Sequence, residues 1–242
     1  MDAIYRHGEQ LGEEKHLVPS YVIDFAGCNL NCVFCSERRF WAQKDRQISP
    51  EPERFAKYVA QKIERTGRTF RSVQFIGGEP SLHLDFIDAF CATFKEIMPA
   101  VKCILNTNGY FSTSCFEKMQ RIDGFVFDLK CSPKCQKQLI KTEDYCQTVQ
   151  KSILEARQRF TNDAITIRHL ILPAHEQCCG QSVIQWCHQN CPDCYFNLMD
   201  TFIDFEQAMP GVPNPDANLQ LRLFAQSLHF PKLLWNGSAL TT

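Results

Sequence analysis

YVIDFAGCNLNCVFC, residues 21–35, sets the reading of this 242-residue chain. Its first six residues are the β-branched and aromatic run of a strand, and the glycine after them opens a loop. That loop carries Cys28, Cys32 and Cys35, three thiols at x3 and then x2 spacing. Three thiolates so spaced can wrap three corners of a cubane cluster, whereas a structural zinc site or a ferredoxin supplies four ligands. A metal held by three protein ligands keeps one position open, the arrangement of a catalytic site. Two blander readings stand beside it: three cysteines close by chance, and a zinc knuckle completed by a distant cysteine.

Outward from this stretch, strand-like runs recur at SVQFIG (72–77), VKCILN (101–106), DGFVFDL (123–129), ITIRHLIL (165–172) and YFNLMD (195–200). Helical patterns lie between them. One spans 50–67, with Ser49 as N-cap, Pro50 at the first helical position and Gly67 as its stop. The next, 84–98, sets Phe86, Phe90, Phe94 and Ile97 on one face. A third, 143–160, does the same with Tyr145, Val149, Ile153 and Ala156, and a shorter one covers 181–189. Six strands alternating with helices predict parallel pairing in an α/β fold, either an open doubly wound sheet or a complete or partial barrel. Residues 1–20 read as an N-terminal extension and 21–200 as the α/β body. Residues 201–242 read as a C-terminal extension packing on or capping it: a loop at 208–220, a helix over 219–230 and a frayed NGSALTT end.

Hydrophobic residues at 44% and charged residues at 22% are ordinary for a globular chain, and the net charge of −1 argues against a nucleic-acid binder. No apolar run is long enough to span a bilayer, and the first residues lack the apolar centre of a signal peptide. Both point to the cytoplasm and away from membranes. In that reducing compartment the 14 cysteines are either small core residues or soft metal ligands.

Polar signatures gather where strands end, the face on which such folds do chemistry. Gly77-Gly78-Glu79-Pro80 ends the second run, with glycines that let backbone approach a ligand and a carboxylate suited to positive charge. Asn106-Thr107-Asn108-Gly109-Tyr110 ends the third. Asp128-Leu129-Lys130 ends the fourth, and strand alternation points Asp128 and Lys130 to one side. Such a pair is either used in a lumen or solvated at the strand end. Arg168 follows on the fifth run, its planar fork suited to a carboxylate; His169 beside it reads as a core histidine.

With these residues in place, the chain resembles the radical SAM (S-adenosylmethionine) superfamily, whose CxxxCxxC loop, with an aromatic before the third cysteine, matches Cys28, Cys32, Phe34 and Cys35. The resemblance implies a partial (β/α)6 TIM-like barrel. It also implies a 4Fe–4S cluster held by Cys28, Cys32 and Cys35, and reductive cleavage of SAM to a 5'-deoxyadenosyl radical that takes hydrogen from a substrate. Phe34 would lie beside the adenine, and Gly77, Gly78 and Glu79 would bind the methionine part. Asn106, Thr107, Asp128, Lys130 and Arg168 would face SAM or substrate, the last three as catalytic candidates. Within the superfamily the NTNG and DLK segments are similar to the pyruvate formate-lyase-activating-enzyme-like branch, with Asn197 and Asp200 a looser match. That implies a protein or peptide substrate, glycyl-radical-enzyme activation included, with a small-molecule substrate as the alternative. Ser36-Glu37, Asn106 and Thr201-Phe202 depart from the true activases.

Two further groups complete the reading. Cys178 or Cys179 with Cys187, Cys191 and Cys194 would make a four-cysteine site for a second Fe–S cluster or zinc; the alternative is plain buried thiols. Cys131, Cys135 and Cys146, near Lys130 in the chain, offer a substrate-side hydrogen donor or a ligand, or are buried or incidental thiols. Arg38, Arg39, Lys44, Arg46, Lys134, Lys137 and Lys141 form either a solvated rim or a docking face for an acidic flavodoxin or ferredoxin-like electron donor. A non-catalytic zinc or Fe–S binding protein is the competing reading of a different class.

Overall fold

The computed structural model describes residues 4–10, 14–41, 47–201 and 214–240, and the chain divides into two compact units. The first comprises residues 1–29, 37–107 and 113–125; the second comprises 30–36, 108–112 and 126–242. The fold is mixed α/β. Nine strands among the described residues follow one another in chain order, and the order does not close back on the first strand. This agrees with the expected α/β class of the partial-barrel type and adds three strands to the six read from the sequence.

In the first unit, β1 (Ile4–Gln10) lies antiparallel on β2 (Ser20–Phe25), which pairs in parallel with β3 (Ser72–Gly77). β3 pairs in parallel with β4 (Lys102–Thr107). β1 belongs to the stretch read as an extension; its broken alternation, IYRHGEQ, hides it. Every residue of β2 is buried, as expected of a strand covered on both faces. The helices here are α1 (Arg38–Trp41), α2 (Pro52–Arg65) and α3 (Leu84–Ile97). α2 begins at Pro52 and not at Pro50: Glu51 precedes a proline, which disfavours helical backbone, and is extended at φ −68° and ψ 129°. Phe86, Phe90 and Phe94 of α3 are buried as their spacing predicts, but Ile97, in the last turn, is 39% exposed. Phe90 meets Phe75 edge to face at 5.5 Å and Phe25 meets Phe86 at 5.6 Å, so aromatics from β2, β3 and α3 make one core.

β5 (Gly124–Asp128) begins in the first unit and ends in the second. The second unit continues with α4 (Gln136–Leu139), α5 (Tyr145–Arg159) and β6 (Ile165–Leu170). A wide π turn over Glu176–Gln181 leads into α6 (Ser182–Asn190) and then β7 (Tyr195–Met199). Tyr145, Val149, Ile153 and Ala156 of α5 are all buried. α7 (Pro215–Ser227) begins within the residues read as a loop. Asn214 accepts hydrogen bonds from the Asp216 and Ala217 amides and Pro215 takes the first turn, so the residues that looked loop-forming are a helix start. The tail is not frayed over its described part either. β8 (Leu233–Trp235) runs parallel to β7 and antiparallel to β9 (Ser238–Ala239). Asn236 and Gly237 between them have φ of +47° and +77°, the Asn-Gly signature of a tight hairpin turn. No described helix is long and apolar enough to cross a membrane.

Candidate active site

In the first unit the Gly-Gly-Glu turn is built against the end of β2. Phe25 pairs with Gly77 in register, and the Gly78 and Glu79 amides donate to the Phe25 and Gly27 carbonyls at 2.8 and 2.7 Å. The approach is too close for any side chain. A Cβ on Gly78 would lie 1.9 Å from the Gly27 oxygen, and one on Gly77, at φ +106°, would lie 2.5 Å from that of Phe25. These glycines therefore seat the turn on the strand that leads directly into Cys28. Glu79 is fully buried and accepts from the Ser81 amide at 2.9 Å and the Thr107 hydroxyl at 2.6 Å. It thus ties the end of β3 to the end of β4. His83 Nε2 lies 3.0 Å from the Ala26 carbonyl, and its ring stacks on Phe25 at 4.7 Å, a support that no motif announced. Asn106 is half-buried.

In the second unit Cys32 is buried, and Phe34 and Cys35 are half-buried, as is Cys28 in the first unit. None of the three cysteines of the loop is in a disulfide. The Val33 amide donates to the Leu139 carbonyl at 2.9 Å and the Cys35 amide to the Cys32 carbonyl at 3.3 Å, so α4 holds this part of the loop. Asp128, Lys130 and Arg168 come together as one ionic group. The Lys130 ammonium donates to one carboxylate oxygen of Asp128 at 2.6 Å and Arg168 Nε to the other at 2.6 Å. Each side chain keeps about a fifth of its surface exposed, which is neither a sealed core pair nor a solvated one. Burial opposes the Asp128 charge, but Arg168 and then Lys130 outweigh it and hold the carboxyl well below its usual range. Burial likewise pushes Lys130 down, and the Asp128 carboxylate followed by the Cys32 sulfur raises it further, so it stays cationic. Lys130 is therefore within the field of the cysteine loop.

Tyr145, which periodicity marked only as core, is part of this group. Its hydroxyl donates to the Asp128 carbonyl at 2.6 Å and accepts the Lys130 amide at 3.1 Å, locking the end of β5. His169 is a satisfied core histidine on one side: Nδ1 lies 2.7 Å from the Leu129 carbonyl. Its Nε2 is buried without a partner, and burial lowers its pKa to about 4. Asn197 and Asp200, the looser match, have a structural role. Asn197 accepts the Gly237 amide at 2.9 Å, and Asp200 exchanges hydrogen bonds with Asn236, so both hold the β8–β9 turn.

The second cysteine set divides: the Cys191 and Cys194 thiols are in hydrogen-bond contact, with Cys187 near Cys194. Cys178 and Cys179 meet Cys135 and His175, and these four are the one compact set of metal-capable side chains among the described residues. Cys187 faces the core from α6 and is fully buried, while Cys194 approaches Asn162 at 3.8 Å. Cys146 donates to the Cys131 carbonyl at 3.1 Å as an ordinary buried thiol. Of the basic residues, Lys137 is paired with Glu143 at 2.6 Å, and Lys44 and Arg46 lie outside the described residues.

The model of the radical SAM superfamily matches residues 22–177. An uncharacterised protein of Methanocaldococcus jannaschii is 26% identical over 219 residues, 87% of this chain and 61% of its own. The 7-carboxy-7-deazaguanine synthase of Clostridium acetobutylicum is 27% identical over 137 residues, 56% of this chain and 58% of its own. SuiB of Streptococcus suis, solved with S-adenosylmethionine bound, shares the fold with a TM-score of 0.63 over 86% of this chain and 47% of its own, at 16% identity. SuiB has also been solved bound to its precursor peptide SuiA. The chain thus spans about three fifths of the length of these curated relatives and about half of SuiB.

Proposed function

The chain belongs to the radical SAM superfamily, and on that premise we propose that it removes a hydrogen atom from a protein or peptide substrate. It is an enzyme of radical SAM type, and the family's cofactors are a 4Fe–4S cluster and S-adenosylmethionine. Bound to the chain, the two would supply one-electron reductive cleavage of SAM as the source of the hydrogen-abstracting radical. The donor set fits: three cysteines outside any disulfide lie within eight residues, and a cation fixed on Asp128 stands within the field of one of them. We assign Cys28, Cys32 and Cys35 to the cluster, Phe34 to the adenine, and Gly77, Gly78, Glu79, Asn106 and Thr107 to SAM. The pyruvate formate-lyase-activating-enzyme-like segments NTNG and DLK extend the proposal to glycyl-radical-enzyme activation.

The single observation that carries the reading is the ionic group at the end of β5. Asp128 stays anionic and Lys130 cationic across the neutral range, so neither passes a proton there. Their role is to fix charge: Asp128 aims Lys130 and Arg168, and the two cations orient a carboxylate of SAM or substrate. A peptide substrate is favoured by the fold shared with SuiB, which binds a precursor peptide. A small-molecule substrate is the second reading, favoured by the sequence similarity to 7-carboxy-7-deazaguanine synthase.

The test is production of 5'-deoxyadenosine by the anaerobically reconstituted chain with dithionite and SAM, against Cys32→Ala. Failure of the iron-loaded wild type to exceed that control, with and without lysate, overturns the reading. Deuterated lysate separated by ultrafiltration then identifies the substrate class. Deuterium reaching 5'-deoxyadenosine from the macromolecular fraction supports a peptide, and deuterium from the filtrate alone supports the second reading. The physiological electron source is proposed to be an acidic flavodoxin or ferredoxin-like protein; raised salt then slows donor-driven but not dithionite-driven turnover.

A further inference from the structure

Outside that site, the second unit gathers four soft donors that the chain scatters over 45 residues. Cys135 caps the start of α4, while His175, Cys178 and Cys179 lie on the turn after β6. Two local features aim that turn. Ala174 has a left-handed φ of +63°, unusual for a residue with a side chain. The π turn over 176–181 then widens the winding, a geometry that recurs at functional sites. As a result two consecutive cysteines, which regular helix would splay apart, point their sulfurs to one place.

We propose that the thiolates of Cys135, Cys178 and Cys179 and the imidazole of His175 form a tetrahedral site for a single Zn(II) ion. All four ligand atoms lie within 4.8 Å of one another. Cys135 Sγ is 3.4 Å and Cys179 Sγ 4.0 Å from Cys178 Sγ, and His175 Nδ1 is 3.3 Å from Cys178 Sγ. Around zinc, bond lengths of about 2.3 Å to sulfur and about 2.0 Å to nitrogen put tetrahedral edges near ~3.8 Å for S···S and ~3.6 Å for S···N. The two S···S separations bracket the first edge, and the S···N separation is slightly shorter than the second. A cubane cluster distributes its ligands over four irons and forces them farther apart, so the compactness points to one ion. Three sulfurs and one imidazole are the donors that zinc prefers in closed structural sites. Cys135, His175 and Cys179 are buried and Cys178 is half-buried, which leaves an entry path for the metal. The Ser132 amide points at Cys179 Sγ at 3.5 Å, a hydrogen bond that supports a thiolate ligand.

Zinc here would have a structural consequence for the proposed chemistry without taking part in it. It would clasp the 131–139 segment, which follows Lys130 directly, to the turn after β6. The far end of that segment, the Leu139 carbonyl, holds the Val33 amide of the cysteine loop. Binding releases the thiol protons and involves no redox change.

The test uses the full chain with Cys28, Cys32 and Cys35 all changed to alanine, so that cluster iron does not enter the count. The expected result is one zinc per chain by mass spectrometry of the metal, and, on exchange with Co(II), intense thiolate charge-transfer and tetrahedral d–d bands. Adding Cys178→Ser or His175→Asn weakens zinc binding at least tenfold, while adding Cys187→Ser leaves it unchanged. His175→Asn decides if Cys178→Ser does not fold. Absence of zinc and of the cobalt bands overturns the proposal, as does zinc that both variants leave undisturbed. Iron with sulfide at this site instead of zinc overturns it too. None of these readouts depends on SAM cleavage, so failure here leaves the proposed function standing, and the reverse holds.

Discussion

Gly78 shows how a single missing atom shapes the site. With the Gly27 oxygen 1.9 Å from any added Cβ, Gly78→Ala must push two strand ends apart, and the expected cost is about 3 kcal/mol in denaturant unfolding. Gly67 is the control. Its φ of +63° is left-handed, unlike that of Gly78, but no atom lies near, so Gly67→Ala costs only about 1 kcal/mol of backbone strain. Asp128→Asn leaves two cations sharing a part-buried site without their anion and destabilises by about 3 kcal/mol. It should also raise the KM for SAM in 5'-deoxyadenosine assays. His169 gives the molecule a pH dependence. The unfolded chain takes up this proton near pH 6.5 but the folded one only near 4, because burial excludes the charge. Its contribution is therefore complete above about pH 6.5 and is lost as the pH falls toward 4. The gap corresponds to about 3 kcal/mol. Unfolding free energies between pH 7 and 4 should fall less steeply in His169→Leu than in wild type.

At the scale of elements, periodicity served well where one face meets a core. α5 buries every residue that its spacing names, α3 buries all but Ile97 in its last turn, and β3 occupies 72–77 as read. It failed where local chemistry looked like something else. Asn214-Pro215 resembles a loop and is a helix cap; Asn236-Gly237 resembles a ragged end and is a hairpin turn. That hairpin depends on Asn197, a residue whose motif pointed to the site. Asn197→Ala leaves the buried Gly237 amide unpaired, with an expected cost of about 2 kcal/mol and earlier proteolytic cleavage near residues 236–240.

Across the whole molecule, the core is made by strands and helices, whereas the three proposed cluster ligands lie on the loop that follows β2. The alanine variant of Cys28, Cys32 and Cys35 should therefore keep its far-UV circular dichroism and unfold cooperatively, with a midpoint within a few degrees of the cluster-free wild type. The sequence by itself determined the α/β class, the strand-end loops and the three-cysteine motif with its Gly-Gly-Glu and Asp-Leu-Lys companions. Each of these is local: a period, a turn residue or a spacing of a few positions. Only the tertiary structure decided that Arg168 shares Asp128 with Lys130, that Tyr145 locks the end of β5, and that Cys178 and Cys179 turn toward Cys135 and His175 instead of Cys187, Cys191 and Cys194. Those partners are joined by strand pairing and backbone winding, which bring together residues that no linear spacing relates.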